Sequence, residues 1–134
     1  MSYEDILYDI DDDGVATLTI NRPERMNALR PQTTRELREA IEAARDDDAV
    51  RCLLVTGAGR GFCAGDDFQA IFLAENRTAR HGQRQIQRLK TGESSLDVLF
   101  ALEKPTIAAV NGPAVGYGMD LALYCDIRFA AESA

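Results

Sequence analysis

Two glycine-rich loops hold the residues that are best suited to chemistry. The first loop, TGAGRGFCAGDDF, spans Thr56 to Phe68, and the second, NGPAVGYGMDL, spans Asn111 to Leu121. Glycine lets the backbone approach a ligand closely, and the first N–H groups of a helix that starts in such a loop have no partner within the helix. Two such loops at neighbouring strand ends could therefore direct two N–H groups at one oxygen and stabilise an oxyanion. The alternative is that both loops are only tight connections.

An acidic residue beside the second loop is a candidate for proton transfer. Asp120 falls in the first turn of a predicted helix, among the apolar residues Met119, Leu121 and Ala122. A carboxylate held against apolar side chains is suited to moving a proton. The alternative is that Asp120 only stabilises the helix N-terminus through its charge.

The other reactive residue types are interpreted as structural. Cys63 has no histidine placed to activate it, and the wide spacing of the three cysteines indicates reduced thiols and no metal site. Asp66 and Asp67 are adjacent, so they face different directions and form a poor acid–base pair. His81 lies in a polar, basic segment and is expected on the surface. In that segment Arg80, Arg84 and Arg88 would share one helix face, either solvated or in contact with phosphate.

The start of the first loop is also compatible with dinucleotide binding, and this alternative can be tested on the residues. VTGAGRG resembles the phosphate-binding turn of short-chain dehydrogenases. That fingerprint requires a further glycine where Cys63 stands, a position early in the chain, and a later Tyr-x-x-x-Lys pair that this sequence lacks. We therefore predict no nucleotide cofactor.

The elements that must position these loops alternate between strands and helices. Apolar β-branched runs predict strands, and the i, i+3, i+4, i+7 stripe of Leu37, Ala40, Ile41 and Ala44 predicts a helix of about 14 residues capped by Thr33 or Thr34. The predicted strands are Ile6 to Ile10, Val15 to Ile20, Val50 to Thr56, Thr106 to Val110 and the IRFAA segment, with helices around Leu96 to Leu102 and after Gly116. This order predicts an α/β fold with parallel neighbouring strands.

Composition limits the function classes. The 134 residues contain 15 Lys and Arg against 22 Asp and Glu, a net charge of −7, and are 46% hydrophobic. These values are typical of one globular domain and argue against a nucleic-acid-binding protein. We expect no membrane span, because no apolar run approaches the roughly 18–20 residues required, and no signal peptide. A cytoplasmic location is expected.

Three sequence blocks resemble one family. TLTINRPERMNAL, GRGFCAGDDF and KPTIAAVNGPAVGYGMDLALYCDIRFAAE are similar, in order and spacing, to the enoyl-CoA hydratase/isomerase (crotonase) family, over Thr17 to Glu132. The resemblance implies a spiral of ββα units, with residues 1–134 as a crotonase-like core. It also implies an acyl-CoA thioester as substrate, no separate cofactor and no metal, and a homotrimer or homohexamer.

The resemblance also implies roles for individual residues. The two oxyanion donors would be the N–H groups of Ala64 and of Tyr117, which replaces the middle glycine of a Gly-Gly-Gly run. Asp120 stands where the hydratases have a catalytic glutamate. Within the family, an aspartate at this position resembles the dienoyl-CoA isomerases. The predicted contacts to substrate and CoA are Arg25, Met26, Ala28, Gly65, Asp67 and Gly116.

The resemblance covers only the N-terminal half of that family. The hydratases carry a second glutamate in a later segment, and this sequence ends at Ala134. We therefore expect the chain to be incomplete before the C-terminal helical region, to be a poor hydratase by itself, and to expose apolar surface. The alternatives are a non-catalytic fragment, or dienoyl-CoA isomerase activity in a longer parent protein.

Overall fold

The computed structural model describes residues 2–70 and 94–134, so the predicted basic face of Arg80, Arg84 and Arg88, and His81, lie outside the described residues. The described strands and helices alternate along the chain as expected for an α/β protein. They are β1 (Ile6–Ile10), β2 (Val15–Ile20), a 3-10 turn (Pro23–Arg25), α1 (Pro31–Asp46), β3 (Cys52–Gly57), α2 (Ser95–Phe100), β4 (Thr106–Val110), α3 (Tyr117–Tyr124) and β5 (Ile127–Ala130).

The strands form one sheet in sequence order, β1-β2-β3-β4-β5. β1 and β2 are an antiparallel hairpin, and every later pair is parallel. Asp11 closes the hairpin turn, because its carboxylate accepts from the N–H groups of Asp13 and Val15 at 3.0 and 2.8 Å. The predicted strands are confirmed, with β3 beginning two residues later than expected. Since β3 and β4 are parallel neighbours, the two glycine-rich loops leave the same edge of the sheet.

Helix α1 covers one face of the sheet with its predicted apolar stripe, but the predicted N-cap is wrong. The helix begins at Pro31 with Arg30 as N-cap residue. Proline suits the first helical position because its φ is already helical and its missing N–H would have no helical acceptor there. Thr33 is therefore the third helical residue, and its hydroxyl accepts from the Arg30 N–H at 3.2 Å.

The acidic C-terminus of α1 is neutralised by a residue distant in sequence. Asp46, Asp47 and Asp48 place negative charge where the helix dipole is also negative. The ammonium of Lys104 donates to the carbonyls of Ala44 and Asp47 at 2.7 and 2.6 Å. This cation satisfies carbonyls that the helix end leaves without partners.

A buried carboxylate joins the N-terminus of the chain to α1. Asp5 accepts from Arg30 Nε and Nη2, both at 2.7 Å, and from the Thr33 hydroxyl at 2.6 Å. Burial raises the pKa of the Asp5 carboxyl, but the hydrogen bonds from Arg30 and Thr33 and the Arg30 charge outweigh it and lower this pKa overall. Asp5 is therefore ionised in the folded state at neutral pH.

Apolar surface is exposed at β5, the edge strand on the opposite side of the sheet from β1, as expected. β5 is exposed along its whole length, and the side chains of Phe100, Met119 and Leu123 on α2 and α3 are exposed as well. Surfaces of this kind favour association. Within the described residues, no helix combines the length and the apolar character needed to cross a membrane.

We predict that Asp5→Asn lowers the free energy of unfolding by about 1–3 kcal/mol at pH 7, because the ionised acceptor of Arg30 is lost. The folded pKa of Asp5 is below the unfolded value of about 3.9. Its contribution is therefore complete above that pH and is lost as the pH falls through the folded pKa. Urea unfolding between pH 2 and pH 7 measures the difference in the free energy of unfolding between the variant and the parent. This difference should become small at the acid end. The exposed Asp48→Asn is the control, and an equal loss in both variants would contradict this assignment.

Candidate functional site

The site is organised around one extended stretch of the first loop, Phe62–Asp67, which we call the central segment. On one side it pairs with the loop that follows β2. The Ala64 N–H donates to the Met26 carbonyl at 3.0 Å, the Leu29 N–H to the Gly65 carbonyl at 2.7 Å, and the Asp67 N–H to the Leu29 carbonyl at 2.8 Å. These bonds hold the central segment against residues 26–29.

On its other side the central segment pairs with the second glycine-rich loop. The Pro113 carbonyl accepts from the N–H groups of Phe62 and Cys63, both at 3.1 Å, and the Val115 N–H donates to the Cys63 carbonyl at 2.9 Å. The two loops therefore converge, as their positions at neighbouring strand ends predicted.

The prediction that Ala64 supplies an oxyanion donor is wrong. Its N–H is directed away from the second loop and is already bonded to the Met26 carbonyl. The physical reason is that the C=O and the N–H of one trans peptide point in opposite directions. The Cys63 carbonyl accepts from the Val115 N–H in the second loop, so the Ala64 N–H of the same peptide faces Met26.

Gly65 turns the peptide that follows it, so that the N–H of the next residue points away from residues 26–29. Its φ is +85°, in the left-handed region that favours glycine. The Gly65 carbonyl accepts from Leu29, and in a trans peptide the N–H points opposite to the C=O. The Asp66 N–H therefore points away from Leu29. A Cβ on Gly65 would lie 2.7 Å from the Val115 carbonyl oxygen and 3.6 Å from the Tyr117 nitrogen, so this peptide lies next to the second loop.

Tyr117 is the first residue of α3, the short helix that was predicted to follow the second loop. The Asp120 N–H donates to the Gly116 carbonyl at 3.0 Å and closes the first turn of α3. The Tyr117 N–H precedes this bond and therefore has no acceptor within the helix. The carbonyl four residues earlier, that of Pro113, is taken by Phe62 and Cys63. Among residues 2–70 and 94–134, the Tyr117 N–H has no backbone acceptor. The N–H groups of Asp66 and Tyr117 could thus meet at one ligand oxygen.

Gly118 sets the distance between α3 and the central segment. A Cβ there would lie 2.2 Å from the Cys63 carbonyl oxygen and 2.6 Å from the Cys63 Cβ. Gly116 is constrained differently, since its φ is +55° but nothing lies within 4 Å of a Cβ built on it. Of these two glycines, the predicted site residue Gly116 is required by conformation, and Gly118 is required by space.

Two asparagines hold the glycine-rich turn that precedes the central segment. The amide of Asn27 donates to the carbonyls of Ala58 and Gly61 at 2.9 and 2.8 Å. Asn111 donates to Gly59 and Gly61 at 3.0 and 3.2 Å, and accepts from the Gly57 N–H at 3.2 Å. Sequence reasoning missed both residues, although Asn27 lies within the first matching block and Asn111 begins the second glycine-rich loop.

The predicted substrate contact Asp67 holds the loops together. Its side chain is 4% exposed and accepts from Arg22 at 3.2 Å and from Arg25 at 3.3 Å. Burial raises the pKa of Asp67, but the Ala70 N–H and the two arginines outweigh it and lower this pKa overall. This nearly buried carboxylate is held by two arginines, so its side chain stabilises the loops, and the contact of Asp67 with substrate or CoA stays a prediction.

The other residues predicted to contact CoA lie in the loop after β2. Arg25 is 43% exposed and also donates to Gln69 at 2.9 Å. Met26 has a left-handed φ of 52°. Its sulfur accepts from Arg60 at 3.2 Å. Ala28 is half-buried, and its carbonyl accepts from Arg22. This loop therefore lies next to the central segment, with Arg25 as its exposed cation.

Asp120 lies in the first turn of α3, as predicted, but its side chain is exposed. The apolar enclosure expected from its sequence neighbours is not present among the described residues, because Met119 turns to the surface as well. Cys63 is buried, and burial raises the pKa of its thiol to about 11, which agrees with a structural role.

Comparison with known proteins identifies the family. The family model described as enoyl-CoA hydratase/isomerase matches residues 11–134. The chain belongs to the enoyl-CoA hydratase/isomerase family. It is 42% identical to a crotonyl-CoA hydratase of Syntrophomonas wolfei, over 100% of this chain and 49% of the relative. It is 44% identical to a 1,2-epoxyphenylacetyl-CoA isomerase of Escherichia coli, over 90% of this chain and 45% of the relative.

Solved structures of enoyl-CoA hydratases/isomerases share the fold. One from Xanthobacter autotrophicus Py2 is 36% identical with a TM-score of 0.84, over 99% of this chain and 48% of that chain. The expected crotonase fold is thereby confirmed. The chain spans about half the length of the curated relatives it matches.

The contact between Gly118 and Cys63 gives a stability prediction for this family member. We expect Gly118→Ala to lower the free energy of unfolding by about 1–3 kcal/mol, because the new methyl group meets backbone. An alanine at an uncrowded helical position would instead stabilise the protein by up to about 1 kcal/mol. Urea unfolding measures the difference, with Met119→Ala on the exposed side of the same helix as control. A variant at least as stable as the parent would refute the close approach.

Proposed function

We propose that the protein acts on acyl-CoA thioesters and that the N–H groups of Asp66 and Tyr117 bind the thioester oxygen. The observation that carries this proposal is the direction of the Gly65–Asp66 peptide, whose N–H points away from Leu29, at a place where the central segment lies next to Val115 and Tyr117. Asp66 replaces Ala64 in the predicted pair, and Tyr117 keeps its predicted role.

The chemistry of a thioester explains why two N–H groups suffice. Removal of a proton from the carbon next to the carbonyl leaves an enolate, whose negative charge lies largely on the thioester oxygen. Donors aimed at that oxygen stabilise the enolate more than the neutral thioester. They therefore lower the activation barrier of proton removal in addition to strengthening substrate binding. Backbone donors held by hydrogen bonds on both sides of the central segment need no reorganisation during the reaction.

Asp120 is the proposed proton-transfer residue. It is one turn along α3 from the proposed donor Tyr117, and its own N–H is bonded to the carbonyl of Gly116. The first N–H groups of a helix point out of its N-terminus, and Asp120 lies in the first turn, so the carboxylate and the Tyr117 N–H can face one substrate. Its exposure leaves it accessible to a bound thioester.

Near the central segment, the described residues offer two cations for CoA recognition, Arg22 and Arg25. Arg22 is committed to Asp67 and to the Ala28 carbonyl, whereas Arg25 keeps a half-exposed guanidinium. We propose Arg25 as a phosphate contact, with Met26 and Ala28 along the path of the CoA chain. No separate cofactor is needed. The cytoplasmic location and the homotrimer or homohexamer stay predictions.

Isomerisation is favoured over hydration as the reaction of this site. Isomerisation needs one group that moves a proton, and Asp120 can supply it, as in the dienoyl-CoA isomerases that the sequence resembles. Hydration must also position a water and uses two carboxylates in this family. A non-catalytic role for this chain is the alternative that the assays below test.

Amide-to-ester substitution tests the two donors directly. Replacement of Asp66 or Tyr117 by its α-hydroxy acid analogue removes one N–H and keeps the side chain. Each should lower kcat for thioester isomerisation by ~10²–10³-fold with little change in KM. The same change at Ala64 is the control, since it removes only the bond to Met26 and should cost about 1 kcal/mol of stability. A loss of kcat at Ala64 and none at Asp66 would reverse the assignment.

Asp120→Asn tests proton transfer. The amide cannot accept the proton, so isomerase turnover should fall by ~10²–10⁴-fold, while acyl-CoA binding measured by calorimetry stays unchanged. The exposed Glu103→Gln is the matched control. The assay uses enoyl- and dienoyl-CoA thioesters, and full turnover by the Asp120 variant would remove this residue from the mechanism.

A further inference from the structure

The phenol of Tyr117 takes no part in the mechanism proposed above, which uses only the N–H of this residue. Its hydroxyl lies 2.7 Å from the Ser95 Oγ and 3.1 Å from the Ser94 Oγ. Both serines are buried. They are 22 and 23 residues before Tyr117 in sequence and belong to the N-terminus of α2, so these bonds join α3 to a separate helix.

The two serines present a fixed end of α2 to the phenol. The Ser94 Oγ caps this helix by accepting from the Leu96 N–H at 3.2 Å. Burial raises the pKa of the Tyr117 phenol more than the hydrogen bonds from Ser94 and Ser95 lower it. The phenol is therefore neutral at physiological pH and can both donate and accept within this group.

The N-terminus of α3 is otherwise held on one side only. Gly118 packs against Cys63, but the residue before Tyr117 is an exposed glycine with open space around it. Glycine restricts the orientation of the Gly116–Tyr117 peptide less than any other residue would. A second fixed point on Tyr117 itself would restrict that orientation, and the phenol provides one.

We propose that the Tyr117 phenol, bonded to Ser95 and Ser94, is a positioning residue that orients the Tyr117 N–H toward the thioester oxygen. The inference rests on the proposed function. A tyrosine in place of a small residue thereby ties the second donor to α2. Stabilisation of the enolate depends more strongly on the alignment of the donors than binding of the neutral thioester does. Loss of the phenol hydroxyl should therefore reduce kcat and leave KM nearly unchanged.

Tyr117→Phe removes the hydroxyl and keeps the ring. We expect kcat for isomerisation to fall about three- to tenfold, the equivalent of one lost internal hydrogen bond, with KM unchanged. Ser95→Ala should cause a loss of similar size, and the double variant should be no slower than the slower single variant. Tyr124→Phe is the matched control, because it removes a hydroxyl from the same helix at a half-exposed position.

A second measurement separates this inference from the proposed function. Amide hydrogen exchange at Gly118 and Asp120, whose N–H groups bond to Val115 and Gly116, reports the order of the α3 N-terminus without turnover. Exchange should be faster in Tyr117→Phe and in Ser95→Ala than in the parent or in Tyr124→Phe. A parent protein that binds and converts no thioester would refute the proposed function, whereas unchanged exchange in both variants would refute the positioning role. A raised KM with normal kcat in Tyr117→Phe would also refute it, since the phenol would then contact substrate.

Discussion

The whole site depends on the hydrogen bonding of the central segment along both of its edges. Residues 62–67 pair with residues 26–29 on one edge and with residues 113–115 on the other. A short stretch paired on one edge alone could rotate about its own axis. Pairing on both edges prevents this, so the direction of each peptide is determined by which side its neighbours occupy. The chemistry proposed here requires only that two peptide groups keep their directions while charge develops on a bound oxygen.

The pairing of the central segment on both edges has two requirements within one small volume. Buried polar groups need hydrogen-bond partners, and backbone segments must approach each other closely. Asn27 and Asn111 donate to the carbonyls of the glycine-rich turn, and both reach the oxygen of Gly61. A carbonyl left buried without a partner would cost about 1–3 kcal/mol. The carboxylate of Asp67 performs a related task with Arg22 and Arg25. Glycine then fills the positions where any Cβ would meet backbone, as at Gly118 against Cys63.

The comparison of sequence and structure separates what periodicity determines from what depends on tertiary contacts. β4 and the short helix after the second loop were predicted from an apolar run and a glycine-rich turn, because these signals act locally. Ala64 was predicted as the donor on the first loop, but its N–H is bonded to the Met26 carbonyl, and the proposed donor Asp66 depends on the left-handed φ of Gly65, which the sequence allows but does not require. The burial of Asp67 and the exposure of Asp120 escaped prediction for a different reason, because burial is decided by elements distant in sequence.

The charge distribution explains how an acidic chain can serve an anionic substrate. Three cations in the described part of the chain are used internally: Arg30 neutralises Asp5, Arg22 neutralises Asp67, and Lys104 neutralises the end of α1. Backbone N–H groups add positive potential at the site without a net charge and without a long side chain that must be ordered. At the proposed site, therefore, recognition of the thioester depends on peptide dipoles, and a side-chain cation such as Arg25 is needed only for the more distant phosphates. This division allows the overall charge to be negative without weakening the stabilisation of the enolate, because interactions inside a preorganised site are screened far less than those between exposed charges.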